Sequence, residues 1–234
     1  MPTVELLRRS ARIGDLATAT AGFRDEYFAF AEVVRERGPG SAAAPDDPAL
    51  LTSGGIDVLG SSWSTRATRI SRRSFDAPVV DLAALRERSP RVAAWLAARL
   101  VRKLVLATQT AVLEVAVDEL GRFAPGVPGD FDRAGPRHAT VDLHALVAAL
   151  SSPLVAAWAR GQFAGAARSA GAIKLAARHV LDIPLPNDLG TWRTATEHVT
   201  ALVEGDRTTK RWKNFAVAAT AAYAPAAMPG TIKN

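Results

Sequence analysis

The sequence contains no cysteine in its 234 residues. This absence excludes disulfide bonds, thiolate zinc sites and a cysteine nucleophile, and it is typical of proteins in a reducing compartment. No apolar run approaches the roughly 18 residues of a membrane helix. The first residues, MPTVELLRRSARIGD, lack the apolar core of a secretory signal. The sequence therefore predicts a cytoplasmic location and no membrane association.

Lysine is also scarce, since only five of the 29 basic residues are lysines. With 23 acidic residues, the formal net charge is +6. The excess lies mainly in the second half: residues 1–120 carry 16 basic and 15 acidic residues, whereas residues 121–234 carry 13 and 8. Such a balance favours a polyanionic partner.

Motifs for catalysis and metal binding are missing as well. The sequence has no Gly-x-Ser-x-Gly elbow, no Ser-x-x-Lys, no His-Glu-x-x-His and no phosphate-binding P-loop. Its four histidines show no metal-ligand spacing. FAGAAR (163–168) lacks the second glycine of a loop for S-adenosylmethionine, and no Pro-Pro pair exists to hold a target amine. We therefore expect no catalytic residue, metal or cofactor in this chain.

The patterns that are present predict an α+β fold, because β-rich and helical segments are interleaved irregularly and without an internal repeat. Ser89-Pro90 predicts the restart of a broken helix. Apolar spacing predicts a helix over residues 143–150, Ser152-Pro153 starts another, and two more follow residue 186. We expect a mixed domain of sheet and hairpin with packed helices, followed by a C-terminal helical segment.

The β-rich segments are less uniform. RKLVLATQTAVLEVAVDELGRF (102–123) has two Val/Leu-rich runs around Gln109-Thr110, which predicts a hairpin with these residues at its tip. RIGDLATATAG (12–22) predicts a strand, and RDEYFAFAEVVRER (24–37) fits either a helix or a strand. FAPGVPGDFDRAGPRH (123–138) predicts a loop.

Four segments follow one another along the chain: LLTSGGID…W (50–63), RKLVLATQTAVLEVAVDELGRF (102–123), ALVAALSSPLVAAWARGQFAG (145–165) and AIKLAARHVLDIPLP (172–186). Together they resemble the C-terminal target-recognition, or specificity, region of N6-adenine DNA methyltransferases of restriction-modification and phage-defence systems. In that family a strand pair led by a basic residue precedes a helix with an L-x-S-P step. A glycine turn and an element ending in P-L-P close the region. The matched positions are Lys103, Thr108, Gln109, Ser152, Pro153, Gly165, Lys174, Leu185 and Pro186.

The resemblance extends over roughly residues 13–186. It implies that residues 1–186 form a DNA target-recognition-like domain and that residues 187–234 form a helical segment packed on it. The methylase domain that normally precedes this region is not expected in the chain. Double-stranded DNA and a separate methylase domain or subunit are therefore the expected partners, with S-adenosylmethionine on that methylase.

The basic residues of this region are the predicted DNA contacts. Lys174 and Arg178 are expected near the phosphate backbone, where cations position a protein without reading sequence. A solvated basic face is the alternative for both. Lys103 is implied as a contact by its match to the basic residue that leads the strand pair.

An arginine cluster earlier in the chain is a further predicted contact with phosphates or bases, since arginine can bind guanine through two hydrogen bonds. The alternative is a solvated loop. The cluster comprises Arg66, Arg69, Arg72 and Arg73.

Two candidates for reading bases remain. Gln109 and Thr110 would contact a base edge from the predicted tip, or would only form the turn. Trp63 would stack on a base, or would anchor a small core. Three other tryptophans are predicted core residues: Trp95, Trp158 and Trp192.

Two other classes of function stay open from the sequence. One is a small enzyme whose site escapes a motif search. The other is a structural or regulatory subunit that binds protein. Binding of duplex DNA would separate the proposed module from both.

Overall fold

The fold combines helices with several small sheets, so the predicted α+β class is confirmed. The computed structural model describes residues 11–21, 24–38, 40, 43–107, 109–126, 131–136, 141–163 and 172–223. Among these residues, no single helix has both the length and the apolar character needed to cross a bilayer. Only helices 143–150 and 153–163 taken together, with a bend of 58° between them, meet that criterion by length and composition.

The larger core is built on a four-stranded antiparallel sheet in the order β1–β13–β9–β11. Its strands are β1 (Ala17–Ala21), β9 (Lys103–Ala107), β11 (Glu114–Asp118) and β13 (Phe131–Pro136). Every residue of β9 is buried. A central strand covered on both faces has a continuous apolar sequence rather than an alternating one, which explains the run of Leu and Val in this segment.

A second four-stranded sheet has the order β12–β3–β8–β2. Its strands are β2 (Val34–Glu36), β3 (Ala49–Leu51), β8 (Pro78–Val80) and β12 (Phe123–Pro125). Strand β12 runs parallel to β3, and the other pairs are antiparallel. A 3₁₀ turn (Ser53–Gly55) follows β3.

Three two-stranded ladders complete the strands of the described residues. They are β4 (Ile56–Asp57) with β5 (Gly60–Ser61), β6 (Thr68–Ile70) with β7 (Arg73–Phe75), and β10 (Gln109–Thr110) with β14 (Ile173–Lys174). The predicted hairpin is confirmed, because β9 and β11 pair antiparallel and Gln109-Thr110 lie in the connection between them. The additional pairing of these two residues with a distant segment was not predicted.

Two predictions about strands need correction. The predicted loop over residues 123–138 contains β12 and β13, whose partners lie far away in sequence. The predicted strand over residues 12–22 begins with a helical turn, α1 (Ile13–Leu16), before β1. The ambiguous segment 24–37 contains both structures, since helix α2 (Arg24–Val33) leads directly into β2.

The helices are short except in the C-terminal part. They are α1 (Ile13–Leu16), α2 (Arg24–Val33), α3 (Leu82–Arg88), α4 (Pro90–Ala97), α5 (Leu143–Leu150), α6 (Pro153–Phe163), α7 (Ala177–Leu181), α8 (Leu189–Val203) and α9 (Thr209–Ala221). Ser89 ends α3 and precedes α4, and Pro90 is the first residue of α4, as predicted. Asp188 caps α8 by accepting a hydrogen bond from Thr191 N at 2.9 Å.

Two main cores follow from this arrangement. The larger core contains residues of β9, β11, α5, α6, α8 and α9, including Leu106, Val147, Val199 and Phe215. The smaller core contains residues of α2, β3, β7, β8, α3 and α4. The described part of the predicted C-terminal segment, residues 187–223, thus shares a core with α5 and α6.

Candidate nucleic-acid interface

The predicted arginine cluster lies on and beside the β6–β7 hairpin. In this hairpin, Thr68 pairs with Phe75 and Ile70 pairs with Arg73. The two connecting residues, Ser71 and Arg72, have φ angles of +47° and +70°. Positive φ at both central residues is the mark of a type I′ turn, which normally selects Asn-Gly. A non-glycine residue with positive φ costs about 1–2 kcal/mol of conformational free energy. Arg72 therefore lies in a strained backbone conformation at the turn of the hairpin.

The hairpin is held against the smaller core by its inward face. Ile70 is fully buried and Phe75 nearly so. Arg69 belongs to the middle pair of the ladder, its side chain lies on the opposite face, and it is exposed. The Tyr27 hydroxyl on α2 accepts a hydrogen bond from Ser71 N at 3.1 Å. The turn is therefore fixed in position although it projects from the surface.

The four arginines of the cluster divide into two pairs. Arg66 bonds to Asp57 Oδ1 at 3.1 Å and also donates to Gly54 O. Arg73 donates to Ala31 O at 3.2 Å, and its guanidinium lies 5.0 Å from the centre of the Phe75 ring. These two side chains anchor the hairpin to its surroundings.

The other pair points outward. Arg69 and Arg72 are exposed, and neither forms a hydrogen bond or an ion pair with any residue that the structure describes. A guanidinium that makes no hydrogen bond to these residues can direct its donors to phosphate or base acceptors. Of the predicted cluster, these two side chains are the ones placed to contact a ligand in solution.

Trp63 lies at the base of the hairpin. Its Nε1 donates to Pro78 O at 2.8 Å, and the ring packs beside a small core that includes Leu51 and Ile56. The guanidinium of Arg37 lies 5.8 Å from the ring centre. These contacts favour the predicted alternative of a core anchor, because Arg37 already occupies a place over the ring.

A second group of predicted residues meets at the β10–β14 ladder. Gln109 pairs with Lys174, and Thr110 pairs with Ile173. Ile173 is buried and Lys174 is exposed. The Thr110 hydroxyl donates to Val112 O, within the loop that leads to β11. The structure therefore brings Gln109, Thr110 and Lys174 together.

Arg160 adds a cation to this ladder that the sequence analysis did not single out. It lies on α6, and its Nη2 donates to Ala111 O at 3.0 Å, next to β10. No local pattern marks Arg160, because only the packing of α6 near β10 brings it there.

Arg178 follows the ladder on the short helix α7 and is exposed. Its neighbour His179 accepts a hydrogen bond from Ala176 N at Nδ1 (3.1 Å) and stacks on Phe163 with 4.3 Å between ring centres. Burial, and then the charge of Arg178, lower the pKa of His179. The neutral ring then carries its proton on Nε2, so the 3.2 Å approach of Arg178 Nε is a contact between two donors. Arg178 therefore gains no hydrogen bond from this approach, and no other hydrogen bond joins its guanidinium to a residue that the structure describes.

Lys103 does not belong to the interface. Its side chain is fully buried and forms an ion pair with Asp118. Asp118 also accepts hydrogen bonds from Arg122 N at 2.8 Å and from Phe123 N at 2.9 Å. A buried ammonium cannot reach a phosphate, so the prediction of Lys103 as a DNA contact is wrong. The register of the strand pair is the missed signal, because it sets Lys103 directly opposite Asp118.

A carboxylate lies near the anchoring arginine. Glu114, the first residue of β11, is half-buried. Burial, and then the negative charge of Asp57, raise its pKa, while the charge of Arg66 acts in the opposite direction. The surroundings of this carboxylate are therefore more apolar and more negative than water, which disfavours its ionised form.

Several matched positions serve the packing of the fold. The Ser152 hydroxyl is buried and donates to Ala219 O on α9 at 3.1 Å. Leu185 and Pro186 are buried. Pro153 begins α6. Thr108 and Gly165 lie outside the described residues.

The predicted core tryptophans pack as expected. Trp158 is buried, and Trp95 and Trp192 pack against the two main cores. Trp192 Nε1 donates to Ala145 O at 2.9 Å. Within the described ranges, no group of three or more histidine, aspartate or glutamate side chains is arranged to hold a metal ion.

Comparisons with known proteins do not assign the chain to a family. No protein-family model matches the chain, and no curated protein is significantly similar to it.

Proposed function

We propose that this chain binds double-stranded DNA as a target-recognition module and acts together with an N6-adenine methylase domain or subunit. The observation that carries the proposal is the β6–β7 hairpin, which holds Arg69 and Arg72 outward without partners among the described residues. The resemblance of four ordered segments to the specificity region of adenine methyltransferases supports the methylase partner.

The hairpin is a two-stranded β-ribbon, which is one of the elements that can read DNA. A two-stranded β-ribbon fits the major groove, where arginine binds the acceptor atoms of guanine or the flanking phosphates. Binding to a rigid hairpin loses less conformational entropy than binding to a mobile loop. The burial of Ile70 and Phe75 and the hydrogen bond from Ser71 N to Tyr27 supply that rigidity.

The β10–β14 ladder supplies the second set of contacts. We assign Lys174 and Arg178 to phosphates, where charge sets affinity for all sequences. Gln109, opposite Lys174 in the ladder, is assigned to a base edge, since an amide can pair with adenine through two hydrogen bonds. Arg160 joins the phosphate contacts because it is exposed beside β10.

Methyl transfer is assigned to the partner. Transfer to adenine needs a pocket for S-adenosylmethionine and acceptors around the amine of an extruded base. We place both on the methylase domain or subunit, and this chain positions the DNA.

The test has two parts. Fluorescence anisotropy with a labelled duplex of mixed sequence should show binding that weakens steeply as salt rises. Tritiated-methyl incorporation should stay at the level of a boiled control with the chain alone and should appear when the partner methylase is added. Absence of duplex binding would favour a protein-binding subunit, and incorporation by the chain alone would favour an enzyme.

A further inference from the structure

A cleft of about 600 Å³ with a mixed polar and apolar lining lies beside Trp63, on the side where Arg37 is found. Its wall is formed by β12 and the turn before it, and by the loop that leads into β3. Among its lining residues are two arginines and two aromatic side chains: Arg37, Arg122, Trp63 and Phe123. Its size is in the range of small-molecule sites, about 300–1,000 Å³.

The aromatic and guanidinium surfaces of the cleft are held in place by contacts within the protein. Trp63 is fixed by its hydrogen bond to Pro78 O, and the guanidinium of Arg37 lies over the Trp63 ring. Arg37 is itself fixed, because its Nη2 donates to Asp47 O. Phe123 lines the same cleft. Guanidinium planes and aromatic rings are the surfaces on which nucleobases stack.

The second cation of the cleft is Arg122. This residue is exposed, and its side chain makes no hydrogen bond or ion pair with a described residue. Its backbone is held, since Arg122 N donates to the buried carboxylate of Asp118 at 2.8 Å. The preceding Gly121 has a φ of +67°, and a Cβ there would lie 2.7 Å from Val101 N. A cation on a fixed backbone is suited to bind phosphate.

The acidic residues of the cleft have different roles. Asp47 is buried, and its carboxylate accepts hydrogen bonds from Ala44 N at 2.8 Å and Leu82 N at 3.0 Å. Asp46 is exposed at the same cleft. An exposed carboxylate repels a bare anion but accepts a hydrogen bond from an amino group. The ligand that fits both arginines and Asp46 is a phosphate joined to an aromatic ring that carries an amine.

We propose that this cleft binds one nucleotide unit, with a base that carries an exocyclic amino group stacked at Arg37 and Phe123 and its phosphate on Arg122. The unit is either a free nucleoside monophosphate or a nucleotide of single-stranded DNA. The proposal does not depend on duplex binding by the hairpin, because the cleft residues are separate from Arg69 and Arg72.

Isothermal titration of the full chain with adenosine monophosphate tests the site. We expect binding that is at least tenfold weaker in Arg122→Ala and unchanged in the control Arg91→Ala, which removes an exposed arginine from α4. Uridine monophosphate should bind more weakly than adenosine monophosphate, and Asp46→Asn should reduce that preference. Absence of adenosine monophosphate binding, or equal losses in the two arginine variants, would overturn the proposal.

Two further titrations define the ligand. Inorganic phosphate should bind at least tenfold more weakly than adenosine monophosphate, and equal affinities would contradict a site for a whole nucleotide. A short single-stranded oligonucleotide that competes with adenosine monophosphate, and loses affinity in Arg122→Ala, would identify DNA as the source. An oligonucleotide that does not compete would identify the free nucleotide.

Discussion

Gln109 and Lys174 lie directly opposite each other in the antiparallel β10–β14 ladder. One belongs to the segment between the two long strands of the main sheet, and the other to the short segment that precedes α7. Their pairing places a residue assigned to a base edge beside a residue assigned to a phosphate. In the proposed function, one small ladder therefore supplies both a contact to a base and a contact to a phosphate.

The ladder predicts different effects for its two residues. Lys174→Ala should weaken binding to all duplexes by a similar factor, because a phosphate contact carries no sequence information. Gln109→Ala should change the ratio of affinities among duplexes, since a base contact is worth about 1–3 kcal/mol of discrimination. Competition against a library of randomised duplexes measures both. If the ratios are unchanged in Gln109→Ala, the backbone pairing of β10 is its only role.

The hairpin turn predicts opposite changes in stability and affinity. Arg72→Gly should raise the free energy of unfolding by about 1 kcal/mol, because glycine adopts positive φ without the Cβ clash, and should weaken DNA binding. Ser71→Gly relieves the same kind of strain without removing a charge, so it should stabilise the protein and leave DNA affinity unchanged. Urea denaturation and anisotropy separate the two effects. An Arg72→Gly protein with full affinity would remove Arg72 from the interface.

The ion pair between Lys103 and Asp118 predicts a large destabilisation when the cation is removed. Lys103→Met leaves a buried carboxylate without its partner, which costs about 3–5 kcal/mol. The exposed Lys213 on α9 provides the control, and Lys213→Met should change the free energy of unfolding by less than about 0.5 kcal/mol. Urea denaturation measures both variants. Equal stability of the two would contradict the burial of Lys103.

The raised pKa of Glu114 predicts a pH-dependent gain in stability. A carboxyl group whose pKa is higher in the folded state than its ordinary value of 4.5 destabilises the fold when ionised, so its unfavourable contribution is present at neutral pH. Glu114→Gln should therefore raise the melting temperature at pH 7. The gain should disappear as the pH falls through the pKa of Glu114 towards 4 and below.

Calorimetry from pH 7 to pH 4 measures this difference. The variant Glu87→Gln, at an exposed position of α3, is the matched control and should follow the wild-type curve. A gain in Glu114→Gln that stays constant across this range would mean that protonation of Glu114 does not cause it.

Local signals made part of the fold predictable. The break at Ser89-Pro90 follows from the conformational limits of proline, and α5 and α8 follow from apolar spacing over several turns. The pairing of β10 with β14 and the place of β13 between β1 and β9 depend on contacts between distant segments. No local pattern reports such contacts.

The candidate site also combines features that local sequence shows with features that depend on tertiary contacts. An arginine cluster is visible in the sequence, but only the tertiary contacts distinguish the anchoring Arg66 and Arg73 from the outward Arg69 and Arg72. Lys103 follows the same rule, because the partner strand decides that this charge is buried.

The salt dependence of duplex binding tests the central claim most directly. Arg69→Ala/Arg72→Ala and the control Arg86→Ala/Arg91→Ala each remove two exposed arginines, so the net charge of the two proteins is equal. The slope of log affinity against log salt changes by about 0.9 for each phosphate that the protein no longer neutralises. We predict a shallower slope and weaker binding in the hairpin variant, with wild-type behaviour in the control. Identical slopes and affinities in the two variants would contradict DNA binding by the hairpin.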